Sequence, residues 1–155
     1  MIDADVQATY AVLLPSMWAT SGSKGVLRLQ RETVTPLICV STSAPPDAEW
    51  DGAKKNYVAT TRVQLLPRTL RLGVPHRFVA QATIAAEDAR LRRQYPGYNV
   101  LPGVPYVAVS GIGFNPARTR AIVYVRRRGG GDVHYMEKQD GRWVRASRSG
   151  CHWRY

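Results

Sequence analysis

The sequence predicts an α+β domain: an antiparallel β-sheet, with a meander at its C-terminal end, packed on one face by two or three helices. Three observations carry this prediction. The last third holds four β-rich runs, Tyr106 to Ser110, Thr119 to Arg127, Val133 to Lys138 and Arg142 to Ala146, separated by Asn115-Pro116, a triple glycine and Asp140-Gly141. Val6, Tyr10, Leu13, Leu14 and Met17 recur at helical spacing near the start. Ile84 to Gln94 places Glu87 and Asp88 early and Arg90, Arg92 and Arg93 late, the charge order that a helix dipole favours. With 155 residues, 45% of them apolar, and neither a repeat nor a linker, the chain reads as one domain, 1–155.

Taken in order, the first helix starts behind Asp3 and Asp5, whose carboxylates suit the free amides of a helix start. Pro15 removes a hydrogen bond and crowds the preceding turn, so this helix is expected to end or kink there. Val26 to Arg31 alternates, with Leu27 and Leu29 inward and Arg28 and Gln30 outward, as a half-buried strand does. Leu37 to Thr42 is continuous and β-branched enough for a second, more buried strand, ended by Ser43-Ala44-Pro45-Pro46. Ala53 to Asn56 fits a helical turn, and Tyr57 to Leu66 has the Val and Thr content of a strand. Arg77 to Gln81 reads as a short strand, Thr83 as the cap of a helix from Ile84, and Tyr95-Pro96-Gly97 as its stop.

The 22 basic and 11 acidic residues leave a formal charge of +11. Split after Thr61, the first part is net −1 and the remainder net +12, so the positive field belongs to the C-terminal part. Eighteen of the basic residues are arginine, suited to phosphate, carboxylate and aromatic faces. Arg126, Arg127 and Arg128 run into Gly129-Gly130-Gly131, which reads either as a loop reaching for an anionic partner or as a solvated hairpin tip. Tyr124 and Tyr135 on facing strands, with His134 beside them, could form a stacking platform for single-stranded nucleic acid. Trp18, Trp50, Trp143 and Trp153 serve a core or line a cleft between helix and sheet.

Other chemistries find no pattern in the chain. His76, His134 and His152 are dispersed, without His-Glu-x-x-His or Cys-x-x-Cys, so no metal and no cofactor is expected. Gly111-Ile112-Gly113 lacks the third glycine of a dinucleotide loop. Adjacent Glu87 and Asp88 point in different directions on a helix, which suits surface charge better than an acid/base pair. No apolar run reaches the length needed to span a bilayer, and Met1 to Asp5 lacks the features of an export signal. Cys39 and Cys151 could close one long loop in an oxidising compartment; within Leu37-Ile38-Cys39-Val40, Cys39 reads most simply as a small buried hydrophobe.

Gly113-Phe114-Asn115, Thr119 to Val125, the glycine loop, Tyr135-Met136-Glu137-Lys138 and Asp140-Gly141-Arg142-Trp143 together resemble a family of uncharacterised bacterial proteins, many exported or lipid-anchored. Their ends read GFN, TxALVYV, glycine loop, YxLEK and GKW. Upstream, Tyr10 to Leu14 with Arg31-Glu32-Thr33 resembles the family's opening helix and strand, and Arg93 to Gly97 its YPG junction. The resemblance implies a periplasmic or extracellular location, with a leader missing from this sequence, and assigns no catalytic residue. Members carry a cysteine pair around the glycine loop, where this chain has Arg126 to Asp132, so any role of that pair does not transfer.

The expectation is a non-enzymatic binding or interaction module for a protein or small molecule, sited in a cleft or at the basic sheet edge around Arg126, Arg127, Arg128, Tyr124, Tyr135 and His134. A polyanion-binding domain and a small hydrolase with a helix–sheet cleft are the alternatives, and a cytoplasmic location is the alternative compartment. Oligomeric state is left open.

Overall fold

The computed structural model describes residues 1–20, 25–36, 40 and 47–154, with the side chains of 20, 147–151, 153 and 154 excepted. The first helix begins where Asp3 accepts the N–H groups of Asp5 at 2.9 Å and Val6 at 3.1 Å. This helix, α1 (Ala4–Thr20), continues through Pro15 instead of ending there. Packing outweighs the lost hydrogen bond, because Leu13, Leu14, Met17 and Trp18 on both sides of the proline are all buried in the core. The second helix, α2 (Ala48–Thr60), is capped by Asp47, whose carboxylate accepts the Glu49 N–H at 3.0 Å. It takes in Tyr57 to Thr60, which composition had suggested as strand; Trp50, Ala53 and Tyr57 form one buried stripe at helical spacing.

The third helix, α3 (Gln81–Gln94), starts before Thr83, and no side chain of its own caps it. Glu32 supplies the acceptor from a distant loop, taking the Gln81 N–H at 2.8 Å. The expected strand over Leu37 to Thr42 lies outside the described residues except for Val40, which is helical and buried. The Cys39–Cys151 pairing also lies outside them. Among the described residues no helix is long and apolar enough to cross a membrane.

The strands are β1 (Leu27–Gln30), β2 (His76–Val79), β3 (Val107–Val109), β4 (Gly113–Phe114), β5 (Arg120–Arg127), β6 (Gly130–Gln139) and β7 (Arg142–Arg154). They form a mixed, mostly antiparallel sheet in the order β2-β1-β3-β5-β6-β7, with β4 also paired to β5. The meander β5-β6-β7 is the predicted one. At its second turn Asp140 and Gly141 both have positive φ, 49° and 74°, the conformation for which an Asp-Gly pair is suited. Asn115 fixes the approach to β5, its Oδ1 accepting the N–H groups of Thr119 and Arg120 at 2.8 Å. β1 pairs in parallel with both β2 and β3.

Helices cover both faces of the sheet, not one. Val123 and Val125 join Tyr10, Leu13 and Leu14 of α1 in one core, whereas Ile122 and Tyr124 join Trp50, Ala53 and Tyr57 of α2 in another. Successive strand residues point to opposite faces, so a continuous apolar run such as Ala121 to Val125 is what a strand buried on both sides requires. On the α2 side, α3 adds a smaller cluster of Val79, Ile84, Tyr106 and Ala108. Gly113 lets α2 lie almost against β4: a Cβ there would stand 2.5 Å from the Ala53 carbonyl oxygen and 2.6 Å from Tyr57 Cα.

Candidate functional site

Arg28 and Gln30 project from β1 onto the face covered by α3, and both are buried, against the expectation that they face solvent. A buried guanidinium needs a counter-charge. Glu87 of α3 provides it, its Oε1 lying 2.6 Å from Arg28 Nη2, while Arg28 Nη1 donates to the Val104 carbonyl at 3.2 Å. Glu87 also faces Arg128 at 3.6 Å, and Asp88 takes the other Arg128 nitrogen. The two acidic residues are therefore the anions of a cross-element cluster rather than dipole-compensating surface charge. They tie β1, α3, the loop before β3 and the β5–β6 turn together.

Register pairs Arg127 with Gly130, leaving Arg128 and Gly129 as the turn between β5 and β6. Arg128 is folded inward: its side chain is 9% exposed, its guanidinium lies 5.3 Å from the Tyr106 ring centroid, and Nη2 donates to Val104 O at 3.3 Å. Arg127 pairs with Asp132 at 2.8 Å. The triple arginine is thus neither a solvated tip nor a free anion-reaching loop, because carboxylates on α3 and β6 already hold two of its members.

Two clefts meet at this turn. The larger, about 570 Å³, opens between the 100–105 loop and the strand ends, lined by Trp18, Leu101, Tyr106 and Val107 with Arg127, Asp132 and His152 at its polar side. The smaller, about 340 Å³, lies between α3 and the sheet and is bordered by Gln30, Gln81, Arg92, Asn99 and Arg126. Leu101, Tyr106, Arg128 and Gly129 border both. The wall between the clefts is therefore built from the cation–aromatic pair that the acidic residues of α3 hold in place.

The six residues singled out from the sequence do not share one surface. Arg126 faces the smaller cleft, Arg127 the larger, and Arg128 stands between them. Tyr124 and Tyr135 are 1% and 4% exposed, beneath α2, with Trp50 edge-on to Tyr135 at 5.1 Å. Their rings are core, so no stacking platform forms there. His134, in register with Val123, belongs to the opposite face and is 6% exposed. Burial first, then the positive charge of Arg145, holds its imidazole down to about 4.

Of the tryptophans, Trp18 lines the larger cleft, while Trp50 packs under α2 and Trp143 against Phe114. The residues missed from the sequence are Leu101, Tyr106, Gln30 and Arg92. The polar pair Arg28 and Gln30 within an apolar strand was the available signal, and reading it needed knowledge that α3 covers that face. Among the described residues, no group of three or more His, Cys, Asp or Glu side chains is placed to hold a metal ion. No protein family, curated protein or solved structure matches this chain.

Proposed function

We propose that this protein is a non-enzymatic binding module that takes a small organic ligand in the larger cleft beside the β5–β6 turn. The observation that carries this reading is the cleft itself. At about 570 Å³ it has the size of a small-molecule site, and Trp18, Leu101, Tyr106 and Val107 offer an apolar wall with a few polar groups at one side. Of those polar groups Arg127 is committed to Asp132, and Arg128 beside them to Glu87 and Asp88, which suits orienting a ligand. The same ion pairs weigh against a polyanion as partner, since a phosphate backbone would compete with carboxylates for both arginines. The family resemblance supports an extracytoplasmic location, which fractionation of the native host would check.

The test is a thermal-shift screen of small organic molecules, followed by Val100→Trp in the cleft lining. Val100 is 53% exposed, so the larger side chain can be accommodated without repacking the core while it obstructs the cleft. Ligands that stabilise the parent should lose most of their effect in V100W. Ligands that stabilise both proteins equally would place binding elsewhere.

A further inference from the structure

We infer that Arg126 is the anchor of a second binding site, in the smaller cleft between α3 and the sheet, that takes the phosphate group of a small molecule. Among the three consecutive arginines, Arg127 and Arg128 each hold a carboxylate, whereas among the described residues no ion pair reaches Arg126. Its Nη2 donates to Gln30 Oε1 at 3.1 Å, a neutral acceptor, and its Nε is buried without a hydrogen-bond partner. Gln30, itself fully buried, is oriented by its own amide, whose Nε2 donates to the Glu32 carbonyl at 2.8 Å. The half-buried guanidinium thus borders the smaller cleft with no carboxylate within ion-pair distance among the described residues, so an anion entering the cleft would give it a counter-charge.

The surroundings favour a dianion over a monoanion. Arg92, exposed on α3 and without an ion pair among the described residues, borders the same cleft, and Gln81 and Asn99 add neutral amides. Counting Arg92, Arg126 and Arg128 against Asp88, the charged side chains bordering the cleft sum to +2. A guanidinium on β5 that no carboxylate among the described residues holds, plus a second, exposed cation on α3, suits the oxygens of a phosphate. The site does not depend on occupancy of the larger cleft, although Arg128 and Tyr106 separate the two.

The experiment titrates the intact protein with inorganic phosphate at constant ionic strength set by chloride, following thermal stability and NMR signals of the arginine side chains. Saturable binding is expected in the parent and in V100W, since Val100 lines the larger cleft and not the smaller. Arg126→Gln should bind about ten- to a hundredfold more weakly, the loss expected for a charge-assisted pair. Arg92→Gln, at an exposed position that leaves the fold undisturbed, should bind a few-fold more weakly. Acetate at the same ionic strength should bind more weakly than phosphate. Phosphate affinity unchanged in both arginine variants, a parent response no larger than that to chloride, or equal affinity for acetate would overturn the assignment.

Discussion

The Trp143 indole N–H donates to the Asp5 carboxylate at 2.9 Å, joining the first turn of α1 to the start of β7 across 138 positions of sequence. Lys138 Nζ at 2.7 Å and Arg118 Nε at 3.0 Å converge on the same carboxylate. The Lys138 hydrogen bond leads in holding Asp5 down to about 2, with Trp143 and Arg118 contributing. Because the folded-state pKa is lowered, this contribution is present above the unfolded value near 3.8 and is lost as pH falls toward 2. Asp5→Asn should therefore cost about 1–2 kcal/mol at pH 7, discounted for the solvent still reaching the carboxylate, and much less at pH 2. Urea unfolding at the two pH values measures it, and an equal loss at both would remove the charge from the account.

His134 predicts a second, milder-acid transition. Its folded-state pKa is about 4 against 6.5 for a free imidazole, so the unfolded chain binds the proton first. Stability should fall between about pH 6.5 and 4, by up to about 3 kcal/mol, before the Asp5 contribution begins to fail. In His134→Gln that part of the pH dependence should flatten while the limb below pH 4 remains. A variant that keeps the full slope would assign it to other groups.

Glu87 distinguishes a buried ion pair from an exposed one. Glu87→Gln leaves Arg28, whose side chain is 5% exposed, without its anion, and should cost about 3 kcal/mol in denaturant unfolding. Asp51→Asn breaks an equally short pair, 2.7 Å to Lys55, but both partners are exposed. Its cost should be far smaller, because solvent screens the pair. Similar losses in the two variants would contradict the picture of Glu87 as the counter-charge of a buried cluster.

Gly113 makes a steric prediction. A methyl group there meets the backbone of α2, which cannot move aside as a flexible side chain could, so Gly113→Ala should destabilise by about 1–3 kcal/mol. Gly73, in a loop, has nothing within 4 Å of an added Cβ but sits at φ 70°, so its alanine variant should cost only the smaller backbone strain. Thermal unfolding of both variants sets the order, and the reverse order would remove the close helix approach as its cause.

The meander was legible because its signals are local: Asp140-Gly141 sets a turn, and the runs on either side have strand composition. The α2 boundary was not, since Tyr57 and Val58 favour strands in isolation and are drawn into a helix by what Trp50, Ala53 and Tyr57 bury together. Pro15 does not end α1, because the residues on both sides of it are buried together in the core. The candidate site was legible only in part. Arg126 to Arg128 marked the right turn, but which arginine is neutralised depends on Glu87 and Asp88, forty positions away in the chain for Asp88 and Arg128. Strand alternation correctly put Arg28 and Gln30 on one side of β1, and only α3, packed across that side, turned it from solvent into interior.

The parallel pairing of β1 has a consequence for how the chain assembles during synthesis. β1 sits between β2 and β3, and β3 in turn needs β5, so the strand made first acquires its last neighbour only after Val107 has emerged. Until then the apolar face of α1, Tyr10, Leu13, Leu14 and Met17, lacks the sheet that covers it. The β5-β6-β7 hairpins, by contrast, close over short stretches of chain as soon as they are made. The contacts of short sequence separation are therefore gathered in the C-terminal ribbon, whereas α1 and β1, made first, are completed only by segments made much later.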